Sequence, residues 1–199
     1  MIAQLLGTRH SVKHRRSHQN SHERYITTSP REIIIIYTIT INVRLTGKQR
    51  DVIPSVQALI NCGHAGSCNG GDANAANAWI YKNGGLPDVT CQQYQAKNMD
   101  CSDINMCMNC DYGGSCYAVA NYTKIQISEF GTAWGDTEIM AEVYARGPVA
   151  ANIDATCIED YTGGINMYDS CRRIVNHVVS INGWGTEDGV DYWIARNSW

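Results

Sequence analysis

The amino-acid sequence predicts an α+β fold in which a helical half precedes a β-rich half. Three observations carry that expectation. Two segments near residues 54–62 and 72–83 have helical spacing with capping residues at their starts. From Tyr122 onward, alternating and β-branched runs dominate. No stretch repeats another, so a solenoid is not expected. With 199 residues, 44% of them hydrophobic, the chain can form one sizeable domain or two small lobes sharing an interface.

In chain order, "MIAQLLGTRH" has only a few apolar residues before basic ones, too few for the core of a signal peptide. Residues 8–32 are rich in Ser, His and Arg with little apolar periodicity, so a solvated or disordered arm is predicted over residues 1–40. His10, His14, His18 and His22 recur every four residues, a stripe that on a helix could bind metal. Only Glu23 stands near as an acidic support, and Ser and Asn weaken the helix, so metal is not expected there. "EIIIIYTITINV" at 32–43 is β-branched and interrupted by Thr and Tyr, which predicts a strand and no membrane span.

"IPSVQALINC" predicts a short helix with Pro near its start and Ser55 as a candidate cap. "CNGGDANAANAWIYKNGGLP" predicts a glycine turn, then a helix over about 72–83 begun by Asp72 and stopped by Gly84, Gly85 and Pro87. Residues 91–116 are dense in Cys and show little regular pattern. Beyond them, "YTKIQISEF" alternates like a strand, "DTEIMAEVYARGP" predicts a helix ending at Gly147 and Pro148, and "VAANID" predicts another strand. The last stretch, "NHVVSINGWGTEDGVDYWIARNSW", predicts two strands around an acidic glycine turn, with a further Gly-Trp-Gly turn at 183–185.

Charge divides the chain in two. Residues 1–50 hold nine Lys or Arg against two acids, and the remainder holds seven against seventeen. The basic segment carries no base-reading element, so no nucleic-acid partner is expected. All nine Cys lie between Cys62 and Cys171, which points to disulfides and an oxidising compartment. "CMNC" at 107–110 has the spacing of a zinc ligand pair, but no second pair with matching spacing accompanies it. "NYT" at 121–123 is an N-glycosylation acceptor sequence at Asn121, relevant to a chain on the secretory route.

His177 at the start of an apolar strand and Asn197 twenty residues later suit the roles of base and orienter. An imidazole can take and return a proton, and an amide oxygen on its other nitrogen fixes the ring without adding full charge. Trp199, two residues after Asn197, would shield that bond from water. "NHVVSINGWG" and "YWIARNSW" resemble the His and Asn motifs of papain-family cysteine peptidases, the lysosomal cathepsins included, and "GSCNGG" at 66–71 is similar to the glycine turn lining their substrate cleft. Further stretches, among them "SVQALINCGHAGSCNGG", "LPDVTCQQYQAKNMDC" and "YTGGI", resemble a lysosomal carboxypeptidase branch of that family. The resemblance runs from about Ile41 to Trp199.

It implies a papain-like two-lobed α+β fold, truncated at both ends, with a helical lobe over about 41–117 and a β-rich lobe over about 118–199. It also implies a peptide or protein substrate, no cofactor and no metal. His177 and Asn197 would be catalytic, and Gly70, Gly71 and Trp199 would line the substrate site. The implied disulfides are Cys62 with Cys101, Cys91 with Cys107, and Cys110 with Cys116. For the complete family member a lysosomal or extracellular location is implied. The nucleophile is missing. The papain pattern sets its Cys about 130 to 150 residues before the His, which here falls in residues 27–47, where there is no Cys and where the nearest alignment is Thr28. Gln19 stands in a context unrelated to the oxyanion-hole Gln of the family. "GGSCY" at 113–117 imitates the nucleophile motif, but Cys116 lies too close to His177 and belongs to the implied disulfide set. Cys68 lacks its usual partner, and Cys157 and Cys171 depart from the family pattern. The chain is therefore expected to be a fragment whose front is foreign to the rest, and to be inactive as written; a non-catalytic homologue that binds peptides or a protein partner is the alternative.

Overall fold

A computed structural model of the chain describes residues 2–7, 52–166 and 174–198. The predicted strand at 32–43, the histidine stripe, Gln19, Thr28, Cys171 and Trp199 lie outside them.

Two apolar cores organise the described residues. The first is built by α1 (Val56–Cys62) and α2 (Ala73–Lys82). Ser55 caps α1, its hydroxyl accepting from the Ala58 N–H and donating to the Gln92 carbonyl. Asp72 caps α2 by accepting from Ala75 N–H at 2.7 Å. Each cap satisfies a helix donor that lacks an intrahelical partner. Ala73, Ala76 and Ile80 recur at helical spacing and pack with Ala58, Leu59, Ala65, Leu86 and Ile127. A two-strand pairing of β4 (Leu86–Pro87) with β7 (Lys124–Ile125) closes this core. β2 (Gly66–Ser67) and β3 (Gly70–Gly71) form a small hairpin beside it.

The Cys-dense stretch has more order than its sequence shows. It contains α3 (Asp103–Met106) and a hairpin of β5 (Met108–Cys110) with β6 (Cys116–Ala118). Three disulfides hold it: Cys62–Cys101, Cys91–Cys107 and Cys110–Cys116, the pairs that the family resemblance implied. Cys107 and Cys110 thus belong to separate bridges, which removes the zinc-pair reading of "CMNC". Cys116 is likewise consumed. A buried amide network adds to the bridges. Gln57 donates to Asn61 Oδ1 and the Lys97 carbonyl and accepts from the Gln95 N–H, while Asn61 donates to the Asn105 carbonyl. Loop carbonyls and amides that would otherwise be buried without partners are satisfied from one face of α1.

The second core lies between α4 (Gly135–Arg146) and a five-stranded antiparallel sheet in the order β11, β10, β9, β1, β8. Its strands are β1 (Ile2–Gly7), β8 (Glu129–Trp134), β9 (Val149–Ile153), β10 (His177–Glu187) and β11 (Val190–Arg196). Ile139 and Val143 of α4 meet Ala133, Val149, Ala151, Val179 and Ile181 of the sheet. The strand predicted over "YTKIQISEF" is divided: Lys124–Ile125 pairs with the first core, where Ile127 is also buried, and Glu129–Trp134 enters the sheet. The helical core therefore extends past the 117/118 boundary expected from sequence.

Residues 2–7 also depart from expectation. Placed by sequence in the basic arm, they form β1 between β8 and β9, pairing Gly7 with Glu129 on one side and Gln4 with Ala150 on the other. The reason is topological. β8 and β9 run parallel to each other, joined by the α4 crossover that parallel strands require. Both face the same gap, and an extended segment running the opposite way satisfies the backbone groups of both edges. The sequence reading also set a turn at Gly183-Trp184-Gly185; the structure continues β10 through it. The reversal comes at Asp188 and Gly189, both at positive φ, between paired Glu187 and Val190. Gly185 serves a close approach instead: a Cβ there would lie 2.6 Å from Cζ of Tyr192, its cross-strand neighbour.

Ile139 is 0% exposed at the centre of the second core. Ile139→Ala is expected to lower unfolding stability by about 2–5 kcal/mol, measured as a fall in the urea midpoint with an unchanged slope.

Candidate active site

The geometry at the end of the β10–β11 hairpin depends on one extra residue. From the turn to Gly183 the two strands pair in regular register, Gly183 with Ile194; beyond it Ile181 pairs with Ala195 and Ser180 with Arg196. Asn182 is the unpaired residue of a β-bulge, and its side-chain amide accepts from the Ser180 hydroxyl at 2.9 Å. Because side chains alternate between faces, a one-residue shift exchanges which residues share a face. Carried one step past the last pair, the bulged register sets Asn197 opposite Val179, two residues from His177 and on the same face. Without the bulge Asn197 would fall opposite Ser180, and His177 would point to the other face.

The bond that results joins His177 Nε2 to Asn197 Oδ1 at 2.6 Å. Asn197 Oδ1 also accepts from the Ser198 N–H at 2.8 Å. A backbone N–H can only donate, so this second contact identifies the amide atom as oxygen, and Nε2 must be the donor. In the neutral ring the lone pair then resides on Nδ1, the nitrogen suited to exchange a proton with a reacting group. His177 is partly buried, at the first position of β10 and in register with Ile153. The residue before it is clamped: Asn176 donates its N–H to the Ile153 carbonyl and accepts from Ala155 N–H at 2.7 Å. Behind the imidazole, Val178, Val179 and Ile181 are buried. The ring is therefore anchored to packed sheet at both its backbone and its Nε2.

Gly70 and Gly71 form β3, paired with Ser67 and Gly66. Gly70 has φ 125°, a conformation that side-chain-bearing residues rarely adopt. Cys68, in the turn between these strands, is partly buried and is the free cysteine among the described residues; its N–H donates to Asn98 Oδ1. Asn121 is exposed in a bend after β6. Among the described residues no group of three His, Cys, Asp or Glu side chains could hold a metal ion, and no helix is long and apolar enough to cross a membrane. Sequence reasoning paired His177 with Asn197 but missed Asn182 and Ser180, which set their register. The signal was present as an Asn-Gly step inside an otherwise continuous strand.

An antiparallel sheet backed by one helix, a disulfide-stapled helical core and a strand-borne His-Asn pair define a thiol-peptidase type of architecture. The family model described as papain family cysteine protease matches residues 37–199, and the chain belongs to that family. It is 38% identical over 161 residues to Cathepsin Z of Onchocerca volvulus, covering 79% of this chain and 52% of that protein. Against Cathepsin S of Mus musculus the identity is 32% over 154 residues, covering 73% of this chain and 41% of the relative. The chain thus spans about half the length of the curated relatives it matches. Among solved structures, the Amb a 11 cysteine protease, a ragweed pollen allergen in its proform, superposes with a TM-score of 0.62 over 87% of this chain and 52% of that one. At 23% identity that likeness establishes the shared α+β fold.

Asn197→Ala is expected to break the His177–Asn197 bond without touching the hairpin, and the slowly exchanging Nε2 proton of His177 should disappear from the nitrogen-correlated NMR spectrum. The substitution should cost only about 1 kcal/mol of stability. Persistence of that proton signal in Asn197→Ala would show that the amide does not hold the ring.

Proposed function

We propose that this chain carries the base half of a cathepsin Z-type cysteine peptidase site and that, as written, it does not hydrolyse peptides. The observation that carries the reading is the Nε2–H···Oδ1 bond, whose direction is set by the second donor on Asn197. In this reading His177 takes the proton of a nucleophilic thiol and returns it to the leaving amine, and Asn197 holds the ring in the required tautomer. Gly70 and Gly71 offer backbone to an extended peptide, an approach that side chains would obstruct. Trp199, outside the described residues, is assigned to the substrate site by the family likeness alone. The substrate is a peptide or protein, with a carboxypeptidase preference taken from the cathepsin Z likeness. No cofactor enters this chemistry. The complete protein is assigned to the lysosome or the extracellular space, in keeping with the disulfides.

What is missing is the thiol. Residues 27–47, where the family spacing sets it, contain no Cys, Cys116 is bridged, and Thr28 has no support as a substitute. Loss of the nucleophile from such a catalytic unit costs roughly 10⁶ in kcat. The same facts favour one other reading, a papain-fold homologue that binds peptides without cleaving them, because the glycine hairpin and the His-Asn pair stand while the thiol does not.

Purified protein is expected to release no residue from peptides with a free C-terminus under reducing conditions. Hydrolysis abolished by His177→Ala would reveal another nucleophile and overturn the inactivity; hydrolysis surviving His177→Ala would overturn the site. Sequencing the native transcript across the region encoding residues 1–60 separates the two readings. A Cys-Gly-Ser-Cys-Trp-like motif about thirteen residues before Ile41 supports the peptidase, and its absence supports the peptide-binding homologue.

A further inference from the structure

We propose that the outer edge of β8 (Glu129–Trp134) is a self-association surface that takes a second copy of this chain, joined edge to edge about a two-fold axis at Thr132. The inference is independent of the peptidase reading. β8 is an outer strand of the five-stranded sheet, and among the described residues nothing pairs with its free side. Natural edges are blunted by charge or proline. The opposite outer strand, β11, follows that rule with exposed Asp191 and Arg196. Residues 130–134 hold neither a charge nor a proline, and the Glu129 carboxylate before them is answered by Arg146 at 3.5 Å. Aromatic rings stand there instead. Trp134 is 60% exposed and Phe130 38%. Tyr81 of α2, itself 51% exposed, lies against Phe130 with 5.7 Å between ring centres. α2 also packs against β1, so it lies over the face of the sheet rather than across the edge.

Parity fixes how two copies meet. The Trp134 N–H donates to the Glu138 carboxylate at 3.0 Å and so does not serve the ladder to β1. Backbone direction alternates along an antiparallel strand, so Thr132 and Phe130 share that outward direction while Gly131 and Ala133 turn toward β1. The side chains of Phe130, Thr132 and Trp134 share the face opposite Ala133, which is buried in the core with α4. Opposed residues of an antiparallel ladder lie on the same face, so a two-fold axis must pass through a residue pair and not between two. Placed at Thr132, the axis lets the two Thr132 backbones exchange N–H···O bonds. Phe130 then stands opposite Trp134 of the second copy, and its N–H meets the carbonyl there, which asks nothing of the occupied Trp134 N–H. The segment is thus its own complement, with each Phe130 ring against a Trp134 ring as a favoured cross-strand pair. The exposed parts of Tyr81, Phe130 and Trp134 are on the order of 100 Å² each. Two copies therefore cover roughly 600 Å² of ring besides the paired backbone, near the ~1,000 Å² at which specific interfaces begin. A two-fold contact closes on itself, so association stops at the dimer.

The test is sedimentation velocity of the purified, disulfide-bonded chain between about 1 and 100 μM, the range in which contacts of this size associate. The expected result is a rise from the 22.0 kDa monomer to twice that mass. Thr132→Lys sets like charges opposite each other and should hold the chain at monomer mass throughout, as should Thr132→Glu. An equimolar mixture of the two variants should recover the dimer, because residue 132 meets residue 132 only at the proposed axis, and a damaged fold could not be rescued in this way. Ile194→Lys, on the opposite outer strand, should leave the dimer unchanged. A chain without substitutions that stays monomeric at the highest concentration overturns the proposal. So does a dimer that survives Thr132→Lys, a dimer lost in Ile194→Lys, or assembly beyond two copies. A mixture that stays monomeric overturns the axis at Thr132.

Discussion

The site depends on the parity of a β-ladder. His177 and Asn197 stand on different strands, and whether they can meet is decided by whether the count of residues between them and the Asp188-Gly189 turn is matched or offset by one. Asn182 supplies the offset, and the Ser180 hydroxyl, fully buried, holds it there. Everything chemical at this end of the molecule follows: the face on which the imidazole stands, the amide oxygen that reaches its Nε2, and the tautomer this leaves. The bond itself is worth little to stability. Its value is orientational, since a ring fixed at both its backbone and one nitrogen presents the other in a single direction.

The two cores are stabilised in different ways. Around α4 the sheet core is aliphatic, close-packed and built from residues far apart in the chain. Around α1 and α2 the apolar cluster is rich in alanine. There, three disulfides and the Gln57–Asn61 amide network hold the adjoining loops. A helix face that spends Gln57 and Asn61 on loop backbone contributes less hydrophobic area, and cross-links offset that loss by restricting the unfolded chain.

Legibility followed the range of the interaction that fixed each feature. Ser55 and Asp72 were readable as caps because a cap is decided within three residues. The Asp-Gly reversal was readable for the same reason. The His-Asn pairing came from chemistry and family likeness together. The disulfide connectivity came from likeness alone, since spacing leaves many pairings open. The misreadings are all non-local. Gly183, Trp184 and Gly185 carry turn chemistry, yet Tyr192 and Trp193 on the neighbouring strand hold them extended, with Trp184 and Trp193 ring to ring. Ile127 reads as part of one strand, yet its partners lie in the helical core. Ile2–Gly7 has no local signal at all, because both of its neighbours are set by a crossover elsewhere.

That last strand has a consequence for the order of events in synthesis. Ile2–Gly7 leaves the ribosome well before the two edges that receive it, Glu129–Trp134 and Val149–Ile153, which emerge more than a hundred residues later. Pairings so distant in sequence raise contact order and slow folding, because the loop must close before the contacts reward it. Through that interval this segment is an apolar stretch without its sheet neighbours, the kind of surface that chaperones hold and that misassembly exploits. The place between Glu129–Trp134 and Val149–Ile153 can thus be filled only after both of its neighbours are made, by a segment that has waited for them.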